Sequence, residues 1–437
     1  MTKRILPEIP SIEKLNPKAT LQQTVDKNVE IKNKIDICKD RLAQILTEKK
    51  NPSTKTERLS VLVDKVKDLG DVPPKVYGVR VDKKNSNQES CVSYIDDAIG
   101  IPVAQPTSLG DWATKFPFNK IRLVGFKNGV VTKEINPIDK TKYKDGEIIP
   151  DDVDVMVEIP KIYWSVTDST NTYDIRISDT KINEKFDCFA HKVGVKEVDN
   201  IYIGAYLGVV EGGKLRSKSG VLPTIDRTID EFRTLAQANG SGYQQMTWLS
   251  LVLLKILYLI LYKNINSQAG FGLGYVNREN GSMTITGGTN TKGLVFAEST
   301  GKKQMCFLGV EDFVGNAQQF VDGMYLKEET KGFMITPDNK LFNSTGVGYK
   351  EVCKWMSERF GGSIFITDIA INNEGLFVPI DNGSGSTSTN YLGNFTISPG
   401  CASFSGNYNR NFCSIFTLGF LGNTQKGFIN SRLCYLG

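Results

Sequence analysis

The stretch Val153-Asp154-Val155-Met156-Val157-Glu158-Ile159-Pro160 alternates its side chains with a period of two. That period belongs to a strand, and its acidic residues predict a half-buried one. Related β-rich runs follow at Ile162-Tyr163-Trp164-Ser165-Val166 and Tyr173-Asp174-Ile175-Arg176-Ile177. Upstream, Phe126-Lys127-Asn128-Gly129-Val130-Val131 sets Asn-Gly between β-formers. That pair supplies the two positive φ angles of a type I′ hairpin turn. Residues 73–200 therefore read as a β-rich spacer or shoulder domain, and nothing in them resembles a catalytic constellation.

The segment before it has a different period. Leu21, Thr24, Asn28, Ile31, Ile35, Cys38, Leu42 and Ile45 follow an a/d heptad seam, with polar layers at Thr24 and Asn28. Lys49-Lys50-Asn51-Pro52-Ser53 breaks the pattern. Thr54-x-x-Glu57 is a capping box opening a second helix, lined by Leu59, Leu62, Val66 and Leu69 and closed by Gly70. Residues 1–72 are expected to be a helical segment that oligomerises or docks to a partner; an intramolecular helical hairpin is the alternative. Asp71-Val72-Pro73-Pro74 is a linker.

Residues 201–437 open on another strand, Ile201-Tyr202-Ile203-Gly204-Ala205-Tyr206. Thr228-x-x-Glu231 caps a helix carrying Phe232, Leu235 and Ala236. The run WLSLVLLKILYLILY then spans residues 248–262 and includes Lys255. A bilayer span needs about 20 residues, so this run predicts a buried core helix and no membrane insertion. From Asn264 onward the chain is rich in Gly, Ser, Asn and Thr, with short apolar runs.

Composition narrows the chemistry. Hydrophobic residues make up 40% of 437, which together with Gly is an ordinary globular share and excludes global disorder. The net charge of +5 is too diffuse to argue for nucleic acid. His191 is the single histidine, which excludes a metal site with two His ligands and leaves little room for His-based catalysis. Its neighbours favour a structural role. The eight cysteines form no C-x-x-C, against zinc ribbons and thioredoxin-like chemistry. The first residues lack an apolar signal core, so cytoplasmic synthesis with free thiols is expected.

Gly309-Val310-Glu311-Asp312-Phe313-Val314-Gly315-Asn316-Ala317-Gln318-Gln319-Phe320-Val321-Asp322-Gly323 resembles a sequence block of the C-type-lectin-like fold. That fold is shared by formylglycine-generating enzymes and the variable proteins of diversity-generating retroelements. Ser431-Arg432-Leu433-Cys434-Tyr435 resembles the signature that closes the variable segment of the latter. Tyr206-Leu207-Gly208, Gly212-Gly213-Lys214-Leu215-Arg216-Ser217, Phe232-Arg233 and Tyr243 resemble the opening of the same family. Phage tail proteins of low-GC Gram-positive bacteria carry such a module behind segments similar to Tyr77-Gly78-Val79-Arg80-Val81-Asp82 and to 155–163.

The resemblance implies an α+β fold: an N-terminal α-helical coiled-coil segment over 1–72, a β-rich middle domain over 73–200, and a C-type-lectin-like fold over 201–437. Phe313, Phe320 and Val321 should pack inward around a tight loop at Gly315-Asn316. Gln318, Gln319 and Phe320 stand where the family has Trp, Glu and Trp, and Cys401, Cys413 and Cys434 do not match its reactive cysteine pair. The expectation is therefore a protein that is not an enzyme, with no catalytic or metal residues and no cofactor.

The family presents its binding surface between Gly400 and Arg432. Here Asn407, Tyr408, Asn409, Arg410 and Asn411 form a polar, aromatic-containing cluster suited to adaptable recognition. The resemblance implies a phage or phage-tail-like particle protein of the tail fibre or baseplate. It would bind a host-surface glycan or protein through this cluster, sit at the tail tip of the virion, and contact other tail proteins through its N-terminal helices. A homotrimer would add avidity to weak contacts. The alternatives are a structural tail component that uses the module for assembly, and a formylglycine-generating-type enzyme.

Overall fold

The computed structural model describes residues 74–85, 87–276, 281–354, 371–372, 399–409 and 413–437. It also describes the backbone of strands at 363–365, 368–370, 377–380 and 394–396, and scattered positions between 27 and 62. The chain divides into two units, Met1–Pro73 and Pro74–Gly437.

The expected fold class, an α+β protein with an N-terminal coiled coil and a C-type-lectin-like terminal fold, is corrected. Strand makes up 35% of the structure and helix 16%, so the protein is mostly β, and no N-terminal coiled coil is seen among the described residues. In the first unit Ala43, Leu46 and Leu62 form one buried cluster. Ile35, on the expected seam, is 43% exposed. Leu21, Thr24, Leu42 and Ile45 of the expected seam lie outside the described residues.

In the second unit Asp154–Pro160 lies inside a seven-stranded sheet, antiparallel to Arg122–Lys127 on one side and Asn200–Gly204 on the other. Beyond Arg122–Lys127 come Val130–Asn136 and Asp139–Tyr143; beyond Asn200–Gly204 come Leu433–Tyr435 and Tyr243–Gln245. The sheet thus draws strands from both sides of residue 200, where the sequence suggested a domain boundary. The strand is also not half-buried: every residue from Asp154 to Ile159 is buried. Its carboxylates tolerate this because each meets an arginine. Asp154 accepts from Arg216 Nε at 2.9 Å and from the Ser217 N–H at 2.8 Å. Glu158 accepts from Arg122 at 2.8 and 3.2 Å. The Asn128-Gly129 turn has φ of 52° and 80°, as a type I′ turn requires.

The helix Trp248–Tyr262 is buried on all sides. Thr247 caps it by accepting from the Ser250 N–H at 3.2 Å, and Lys263 ends it in the left-handed region. No helix among the described residues is long and apolar enough to cross a membrane. Lys255 is fully buried in it, with Nζ 4.9 Å from the centre of the Trp248 ring, and burial pulls its ammonium down to about 7.

An eight-stranded sheet carries the remaining core, with Gln318–Lys327 beside Gly332–Ile335 and Gly400–Phe404. The helix Ile229–Gln237 starts with the expected capping box between Thr228 and Glu231. Its Arg233 docks on this sheet, donating to the buried Asp322 at 2.6 Å.

Candidate binding site

The two blocks that carry the family resemblance meet at one side chain. Arg432 is fully buried. Its Nε donates to Gln319 Oε1 at 2.9 Å, Nη1 to the Gly204 carbonyl at 2.8 Å and Nη2 to the Glu311 carbonyl at 2.7 Å. Burial pulls this guanidinium down to about 10. Gln319 in turn donates through Nε2 to the Asp312 carbonyl at 3.0 Å. An amide can accept from Arg432 and donate to Asp312 at once, whereas an ionised glutamate only accepts. Glutamine at this position therefore has a structural use that an ionised glutamate would not serve.

The same segment carries two buried carboxylates. Glu311 accepts from the Gly287 N–H at 2.6 Å, from the Thr289 N–H at 2.8 Å and from Thr289 Oγ1 at 2.6 Å. Asp312 Oδ2 accepts from Gln304 and Asn316 amides, both at 2.7 Å. Burial, and then the negative charge of Glu311, hold the Asp312 carboxyl well above the usual carboxylate range. Phe313, Phe320 and Val321 are fully buried around this segment, and Gly315 and Asn316 turn it with φ of 88° and 60°.

Asn316 joins this interior to the surface. Its N–H donates to the Tyr275 carbonyl at 2.7 Å and its Nδ2 to the Thr284 carbonyl at 3.1 Å. Its own carbonyl accepts from the Tyr408 N–H at 3.0 Å. Beside it the Gly315 N–H donates to Ser405 Oγ at 3.0 Å. The turn that follows is closed by Asn407, whose Oδ1 accepts from the Asn409 N–H at 3.0 Å, an Asx turn.

The predicted cluster is thus divided. Asn407 is only 3% exposed, its side chain taken up in closing the turn. Tyr408 is half-buried and Asn409 exposed, side by side on the turn. Arg410 and Asn411 lie outside the described residues. The bracing residues Asn316, Ser405 and Thr284 were not anticipated as part of this site. The Gly315-Asn316 pair was the sequence signal that pointed there.

Other groupings are less open to a ligand. A cleft of about 820 Å³ is lined by Phe116, Ile121, Arg122, Glu134, Lys144 and Glu158, among others. Arg122 is committed to Glu158, and Lys144 to Glu134 at 2.5 Å. Asp187, Cys188 and Glu197 bring three ligand atoms within 4.8 Å of one another. Lys192 pairs with Asp187 at 2.5 Å and Lys161 with Glu197 at 3.4 Å, positive charges that disfavour a cation. Burial, and then Glu197, push the Cys188 thiol up to about 12. His191 is fully buried with Nε2 3.3 Å from the Ile159 carbonyl, and burial lowers it to about 4.

Comparison with known protein families and with curated proteins gives no match for this chain.

Proposed function

We propose that the chain is a tail-fibre or baseplate protein of a phage or phage-tail-like particle, and that it binds a receptor on the host surface through the turn bearing Tyr408 and Asn409. The observation that carries this reading is the junction at Arg432. Segments 309–323 and 431–435 are far apart in sequence, resemble two blocks of one receptor-binding family, and interlock through a single buried guanidinium. The turn at 405–409 is mounted on the same segment through Ser405 and Asn316. A braced turn loses little conformational entropy on binding, and Tyr and Asn offer a rigid amphipathic face and an adaptable amide. Several copies on one particle would raise the avidity of weak contacts. The reading assigns the site to recognition and not to catalysis.

Adsorption of the full-length purified protein to host cells tests it. Tyr408→Ala with Asn409→Ala should reduce adsorption at least tenfold and leave the melting temperature unchanged. Undiminished adsorption of the double variant would sink the assignment.

A further inference from the structure

Lys140 lies on Asp139–Tyr143, the edge strand of the seven-stranded sheet, yet is only 1% exposed. Its backbone N–H donates to the Asn290 carbonyl at 3.1 Å, pinning the strand to the loop that also supplies Thr289. Its Nζ donates to Cys306 Sγ at 3.1 Å and to Thr289 Oγ1 at 3.4 Å. Cys306 is fully buried too, its sulfur 3.5 Å from the Leu294 carbonyl. No ion pair to Lys140 forms among the described residues; the charge of Glu311 reaches it through the Thr289 hydroxyl, which donates to Oε2. A buried amine held against a buried thiol, with no carboxylate in direct contact, is an unusual use of two reactive groups.

We propose that Lys140 and Cys306 close, under oxidation, into a covalent nitrogen–oxygen–sulfur bridge. The oxidant is dioxygen. The neutral amine, after loss of any ammonium proton to solvent, and the thiol react as R–SH + R′–NH₂ + O₂ → R–S–O–NH–R′ + H₂O. The S–H bond, one N–H bond and the O–O bond break, and S–O and O–N bonds form. Sulfur and nitrogen each give up two electrons, and dioxygen takes all four. One oxygen atom stays in the bridge and the other leaves as water with the two hydrogens. A thiol reductant reopens the bridge as R–S–O–NH–R′ + 4 R″SH → R–SH + R′–NH₂ + 2 R″S–SR″ + H₂O, the reductant supplying four electrons and the bridging oxygen leaving as water. Lys140 Nζ stands 3.1 Å from the sulfur, so the amine is the nearest nucleophile to an oxidised Cys306. The bridge closes a loop of 166 residues, tying the edge of one sheet to the strand just before the 309–323 segment. This inference does not depend on the receptor-binding reading.

Peptide mapping of the full-length protein tests it, with one sample kept under air and another in excess thiol reductant. The expected result in air is a linked pair of tryptic peptides, uncleaved after Lys140 and joined to the Cys306 peptide. Their mass should exceed the sum of the two by one oxygen less two hydrogens. Reductant should abolish the pair and lower the melting temperature of the wild type, while Cys306→Ser should form no pair and should not respond to reductant. Recovery of Lys140 unlinked in air, with Cys306 as a free thiol or a sulfinic acid, would overturn the proposal. So would a cross-link lacking the oxygen. The mapping on the wild type decides the matter even if a variant fails to fold.

Discussion

Replacing Lys255 by methionine should stabilise the protein near neutral pH. The lysine is fully buried in the helix Trp248–Tyr262, and burial lowers its pKa from 10.5 to about 7. Between those values the unfolded chain holds a proton that the folded chain has released. Unfolding then takes up a proton, so stability rises as pH rises through that window. Below about 7 the penalty is complete and constant; above 10.5 it is gone. At roughly 1.4 kcal/mol per pH unit, the interval corresponds to about 5 kcal/mol. Methionine keeps the volume and the apolar stem but loses the contact with the Trp248 ring, worth about 1–2 kcal/mol in a buried setting. The expected net gain is therefore about 2–4 kcal/mol at pH 7, shrinking towards zero by pH 10. Urea unfolding followed by tryptophan fluorescence at several pH values, on both proteins, measures it. Tyr258 and Tyr262 on the same helix are pushed upward by burial, so their ionisation lies above the window. Taking the difference between the two proteins cancels the other titrating groups. Parallel stability curves for variant and wild type, or a variant less stable at pH 7, would refute the reasoning.

Arg432→Met should cost about 3–5 kcal/mol, because it strands Gln319 and the Gly204 and Glu311 carbonyls without their donor; a thermal melt checks it. Phe313→Ala should cost about 3–5 kcal/mol in the same assay, its ring being fully buried against Phe307 and Phe404. Asn407→Ala should cost about 1 kcal/mol by removing the acceptor of the Asx turn, and should lower host adsorption and melting temperature together. Tyr408→Ala should lower adsorption alone.

Local signals in the sequence carried over well where one physical cause dominated. Asn128-Gly129 turns as such a pair must, Thr228 and Glu231 cap a helix, and the apolar run from Trp248 is a buried helix. The period-two pattern of 153–160 found a strand but misjudged its setting. Asp154 and Glu158 looked like a solvent face, and only the fold brings Arg216 and Arg122 to them. The N-terminal heptads predicted a coiled coil that is not seen among the described residues, since spacing alone does not supply the partner such a stripe needs. Ala43 and Leu46 are covered with Leu62 from the same chain. At the candidate site, composition singled out a polar cluster at 407–411 but could not separate the roles of its members, and Arg410 and Asn411 lie outside the described residues. Asn407 spends its side chain on the backbone two residues on, so a residue expected at the surface is buried. The pairing of Lys140 with Cys306 joins distant positions, and no local pattern announces it.

The position of Leu433–Tyr435 within its sheet has a consequence for biosynthesis. Its neighbours there are Asn200–Gly204 and Tyr243–Gln245, and 228 residues separate Gly204 from Arg432. A nascent chain that has passed both earlier strands still lacks the strand that belongs between them. Until translation reaches it, two strand edges stay open, with the hazard of pairing to another chain. A ribosome that stops before residue 433 thus releases a chain that cannot finish this sheet.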